Sequence, residues 1–149
     1  MVGDGTFSGC KNQRVLIEHE SMNLHPPRIL SIGQCQIDGP RMKRVLEQNL
    51  GAVVEDADSA SEAVDKARQH RYHLILVNRE LAGDNSSGLD VAAQLIALHP
   101  QTPVMIVSDF ESAQAAAVRR GALRGFGKSE LEQTETLRRL AQIVRSAPT

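Results

Sequence analysis

The chain has 149 residues, the size of one domain with one core, and its 41% hydrophobic content is ample for that core. A net charge of −1 gives no field favouring nucleic acid or an anionic membrane, and one Tyr, three Phe and no Trp leave few rings for stacking bases. Cys10 and Cys35 show no metal-ligand spacing and read as reduced thiols of a cytoplasmic protein; no apolar run nears the ~18 residues of a membrane span, and the N-terminus lacks a signal-peptide layout.

Residues 1–27 are Gly- and polar-rich apart from Val15–Glu18, and His25-Pro26-Pro27 stops any regular element, so this stretch reads as a disordered or loosely docked tail. Met22 stands just before the periodic pattern and is an alternative start to Met1. From Arg28 on, short apolar runs alternate with amphipathic stretches. Arg28–Ile32 is a predicted strand. Asp38 is placed to cap a helix with Pro40 in its first turn; Met42, Val45, Leu46 and Leu50 share one face, and Gly51 ends it. Ala52–Val54 is a second strand, and Ser59 with Glu62 forms a capping-box signature ahead of Ala60, Ala63, Val64 and Ala67.

Leu74–Val77 is the third strand and Gly88–Leu98 the next helix, stopped by His99-Pro100. Val104–Val107 is the fourth strand, followed by an alanine-rich helix over Ser112–Arg120 that closes at Gly121. Leu123–Phe126 is a weak fifth strand. Ser129 with Glu132 is placed to cap the last helix, where Leu137, Leu140, Ala141 and Val144 follow the 3.6-residue period. Strands apolar on both faces and joined by helices imply a parallel sheet covered on both sides. Functional residues of such sheets gather at the carboxyl ends of the strands.

In this order and at this spacing, five segments resemble the response-regulator receiver (CheY-like) domain of two-component systems. They are Arg28–Ile32, His73–Asn78, Ser87-Gly88-Leu89-Asp90, Thr102–Ser108, and Gly121-Ala122 followed by Lys128. The resemblance covers residues 28–145, leaves 146–149 as a short tail, and implies a single α/β domain: a flavodoxin-like (βα)5 doubly wound, five-stranded parallel sheet with helices on both faces.

Carried over residue by residue, the resemblance implies a degenerate phosphorylation pocket. Gly33 and Gln34 fall where receivers have paired acids, and Asn78 falls at the phosphoacceptor Asp. Ser108 and Lys128 keep the hydroxyl and lysine positions, while Gly125 stands at the switching aromatic, with Phe126 one residue on and so facing the other side of the strand. An amide cannot form the acyl phosphate, and Mg²⁺ favours carboxylates, so its binding is expected to be weak or absent. The loop from Asn78 to Gly88 carries Asp84-Asn85-Ser86-Ser87 and is about two residues longer than usual for the family the segment resembles.

Lys128 needs an acceptor or solvent, with Asn78, Glu80 or Asp109 expected to receive it. A residual metal site from Glu80 and Asp109 is the less favoured reading, and His70 and His73 are read as surface histidines. Cys35 is read as a quiet, partly buried thiol. Arg119, Arg120, Arg138 and Arg139 on the last two helices offer a partner face, for an acidic protein or for a homodimer. Only about five residues follow the last helix, so no DNA-binding output domain is expected. The reading is a stand-alone, non-enzymatic pseudo-receiver without cofactor, metal, nucleic-acid or membrane partner. It acts through protein contacts with a histidine kinase, a phosphotransfer protein or another regulator. The alternative is a small-ligand site in the neutralised pocket, which a closed void above Gly33 would favour.

Overall fold

The computed structural model describes residues 25–146. Five strands and five helices alternate: β1 (Arg28–Ile32), α1 (Asp38–Leu50), β2 (Val53–Ala57), α2 (Ala60–Gln69), β3 (Leu74–Asn78), α3 (Gly88–Leu98), β4 (Val104–Val107), α4 (Glu111–Arg119), β5 (Leu123–Phe126) and α5 (Thr134–Ser146). The strands form one parallel sheet in the order β2-β1-β3-β4-β5, the doubly wound arrangement that the sequence implies.

The period-2 geometry of the strands divides the core. Ile29, Leu74, Leu76, Met105 and Val107 point to one face, where Met42, Val45 and Leu46 of α1 and Leu140 and Val144 of α5 cover them. Leu30, Ile32, Ile75, Val77, Val104 and Ile106 point to the other, under Ala63 and Ala67 of α2, Val91, Ala92 and Leu95 of α3 and Ala117 of α4. Burying each large aliphatic contributes about 1.5–3 kcal/mol, so the central strands dominate the driving force. The alanines let three helices lie close on one face. None of the described helices is long and apolar enough to cross a membrane.

Local signals fare unevenly. Ser59 does cap α2, its Oγ accepting from the Glu62 N–H at 3.2 Å, but Glu62 reaches back to the N–H of Asp58 rather than of Ser59. Asp38 does not cap α1: Ile37 holds that position, and Asp38 lies in the first turn with its carboxylate turned elsewhere. Ser129 and Glu132 do not cap the last helix, because a 3₁₀ turn over Lys128–Glu130 intervenes and α5 begins at Thr134. Second-strand pairing runs on to Ala57, beyond the expected Val54. The expected tail lies outside the described residues up to residue 24, and Pro27 already joins the sheet by accepting the Val53 N–H at 2.8 Å.

His73 is not a surface side chain. It is partly buried before β3, and its Nδ1 accepts the Arg28 N–H at 3.0 Å, a role that requires the neutral ring. Burial pushes its pKa below the ordinary 6.5. The unfolded chain therefore binds the proton first on acidification. This contribution is complete above about pH 6.5 and is lost as pH falls through the lower folded value. Urea midpoints measured from pH 7.5 to 5 should fall, and His73→Asn should flatten that slope.

Candidate functional site

The strand order reverses its direction of growth at β1, so a crevice opens between the carboxyl ends of β1 and β3. Gly33 forms its floor, with φ of +77°. A Cβ there would lie 2.5 Å from Leu81 Cγ, so glycine is required twice over, by backbone angle and by space. Leu81, fully buried, fills the volume above Gly33. The space directly above Gly33 is thus taken by the Leu81 side chain rather than by a closed void.

Asn78, at the end of β3, makes the crevice's central contacts. Its Nδ2 donates to the Gly33 carbonyl at 3.1 Å and to the Glu80 carbonyl at 2.9 Å. A carboxylate has no hydrogen to offer either oxygen. The Gly33 carbonyl also accepts from the Ala82 N–H at 3.0 Å. Gln34 is 7% exposed; its Nε2 donates to the Ile32 carbonyl at 3.4 Å, and its buried Oε1 has no hydrogen-bond partner among the described residues.

The long loop is built to stay closed over this floor. Gly83 N–H donates to the Asp58 carbonyl at 3.0 Å, and Asp84 Oδ2 accepts the Ala60 N–H in the first turn of α2 at 3.1 Å. Hydrogen bonds from the Ser86 side chain, then from the Ser86 and Ala60 backbones, hold the Asp84 carboxyl below its usual pKa. Glu80 and Ser87 pair as an isolated antiparallel bridge.

Lys128 does not go to Asn78, Glu80 or Asp109. Its Nζ lies 2.8 Å from Asp38 Oδ2, because Asp38, released from capping duty, faces the carboxyl end of β5. The same oxygen accepts from Cys35 Sγ at 3.4 Å, while that sulfur accepts the Asp38 N–H at 3.3 Å. The hydrogen bond from Lys128 is the chief reason the Asp38 carboxyl sits below its ordinary range. Asp109 is occupied by the Ser129 hydroxyl at 2.6 Å. Asn78, Glu80, Ser108, Asp109 and Lys128 do line a common open cleft of about 280 Å³. Among the described residues no three His, Cys, Asp or Glu side chains converge as metal ligands.

The β4–β5 edge holds a residue that sequence reasoning missed. Gln114 of α4 is 4% exposed, and its Nε2 donates to the carbonyls of Ile106 and Ser108, each at 3.0 Å. Its Oε1 accepts the Gly125 N–H at 2.7 Å. Its signal was a glutamine on the inward stripe of an alanine helix, between Ala113 and Ala117. The β4–β5 register shifts here: Met105 faces Leu123 but Val107 faces Phe126, a bulge around Gly125. A Cβ on Gly125 would sit 2.1 Å from the Ile106 oxygen. Phe126 is buried on the opposite face with Leu131, Leu140 and Val144, as the one-residue offset requires. The four arginines are all exposed but diverge: Arg120 pairs with Asp90 of α3 at 2.8 Å and Arg138 with Glu135 of its own helix at 3.3 Å. Arg119 and Arg139 have no ion-pair partner among the described residues.

Placing acids at Gly33 or Asn78 should therefore weaken the fold. Gly33→Asp forces a side chain into Leu81 and should cost about 3 kcal/mol or more. Asn78→Asp sets a carboxylate against two partly solvated carbonyl oxygens and should cost about 1–2 kcal/mol at neutral pH. Urea denaturation of each variant measures both losses.

The response regulator receiver domain family matches residues 39–140, from the first turn of α1 into α5. No curated protein matches the chain. Among solved structures, the receiver domain of NtrX from Brucella abortus is 17% identical with a TM-score of 0.64, covering 80% of this chain and 99% of its own. A CheY-like receiver domain protein from Methanospirillum hungatei is 20% identical with a TM-score of 0.64, over 80% of this chain and 91% of its own. A response regulator from Burkholderia pseudomallei, solved with a phosphorylated aspartic acid, calcium ion and citrate, is 23% identical with a TM-score of 0.60, over 83% of this chain and 76% of its own. This chain belongs to the response regulator receiver domain family.

Proposed function

We propose that this receiver domain serves two-component signal transduction as a protein-interaction module that does not itself accept a phosphoryl group. The observation that carries the reading is the Asn78 side chain, which donates to the Gly33 and Glu80 carbonyls from the end of β3. Phosphoryl transfer to a receiver needs a carboxylate oxygen as nucleophile and carboxylates to hold the cation that screens the incoming charge. Here an amide stands at the end of β3, a glycine under Leu81 at the end of β1, and the neutral Gln34 beside it. The carboxylate nearest Lys128 is Asp38, which is engaged by that lysine and by the Cys35 thiol.

Receiver domains work by contacting signalling proteins such as kinases, and the same mode of action suits this one. The histidine kinase, phosphotransfer protein or second regulator it meets would be bound through outer helix surfaces, where Arg119 and Arg139 are exposed for an acidic partner. Incubation with acetyl phosphate, or with beryllofluoride, in the presence of Mg²⁺ tests the reading. Intact-mass and ¹⁹F NMR measurements should find no stable adduct. An adduct on this chain would overturn it.

A further inference from the structure

We infer that the Gln114 carboxamide is a clamp that fixes the β4–α4–β5 corner in one conformation, so that the surface of α4 and β5 is displayed without a switching step. The inference rests on the phosphorylation-independent reading above and supplies its regulation: the display is constitutive.

The clamp joins three backbone segments through one side chain. Ile106 lies within β4, Ser108 just beyond its end, and Gly125 in the bulge of β5; Gln114 bonds all three from α4. The amide is nearly fully buried, so each of these bonds acts away from competing water. Ser108 is fixed from every polar atom it has. Its N–H donates to the Phe126 carbonyl at 3.0 Å, its hydroxyl accepts the Phe110 N–H at 3.1 Å, and its carbonyl accepts from Gln114. The bond accepted from Phe110 holds the Ser108 hydroxyl in place on the wall of the cleft it shares with Asn78.

The bulge closes the alternative. With Gly125 packed against the Ile106 carbonyl, no side chain fits at that position in this conformation, so no rotating group stands where one would couple β5 to the cleft. The same hydrogen bond from the Phe110 N–H sets the start of α4 and leaves the Phe110 ring 60% exposed, with the Arg79 guanidinium 5.2 Å from its centroid. The Glu111–Arg124 pair spans the same α4–β5 junction, but it is exposed and adds little. The buried amide is the dominant constraint.

Relaxation-dispersion NMR and amide hydrogen exchange on the full chain test the clamp. In the wild type, residues 106–114 and 123–126 should give flat dispersion profiles. In Gln114→Leu, which keeps the volume and loses the hydrogen bonds, the Gly125 and Ser108–Ala113 amides should exchange at least about tenfold faster relative to those of β1 and β3. Millisecond dispersion at this corner in the wild type, or unchanged relative exchange in the variant, would sink the idea. If the variant does not fold, the wild-type profiles decide alone. A beryllofluoride adduct with flat profiles would remove the functional reading and leave the clamp standing; dispersion without an adduct would do the reverse.

Discussion

Backbone carbonyls at the carboxyl edge of a parallel sheet must find donors, and in this chain two neutral side-chain amides supply them. Asn78 serves the carbonyls of Gly33 and Glu80, and Gln114 those of Ile106 and Ser108. An unpaired buried carbonyl costs about 1–3 kcal/mol. The bonds from Gln114 are buried while those from Asn78 are more exposed, so Gln114 carries the larger share of this support. The loop conformation follows from the same constraint. Once Gly33 turns with positive φ, Ala82 can reach its carbonyl and Leu81 can settle on its Cα.

The consequences spread outward from that edge. Leu81 over Gly33 anchors one end of the β3–α3 loop, and Asp84 on the first turn of α2 anchors its middle. Asp38, unneeded as a cap, becomes the partner of Lys128 and ties the start of α1 to the turn before α5. The sheet thus ends in a set of mutual supports among β1, β3, β4 and their loops.

The sheet was legible because its alternating aliphatics obey a strict period: Leu74, Leu76, Met105 and Val107 face one way, while Ile75, Val77, Val104 and Ile106 face the other. Glycine and proline stops placed most helix ends. The polar residues were harder to read. Asp38 has the side chain of a helix cap, yet a partner ninety positions later in the chain outcompetes the local bond. Ser129 is likewise drawn to Asp109. Gln114 was passed over because a lone amide in an alanine helix reads as a surface residue until the carbonyls above it are known. Leu81 carried a signal that was not taken up: a large aliphatic inside a loop of Gly, Asp, Asn and Ser has to be buried somewhere.

Neutral amides also set how this edge responds to its surroundings. Neither Asn78 nor Gln114 gains or loses a proton in any physiological range, and neither attracts counterions. Screening by salt, which weakens exposed charge pairs beyond a Debye length of about 8 Å in the cell, leaves bonds of this kind nearly untouched. The hydrogen bonds of these two amides are therefore less sensitive to ionic strength than the Asp38–Lys128 pair at the same end of the sheet.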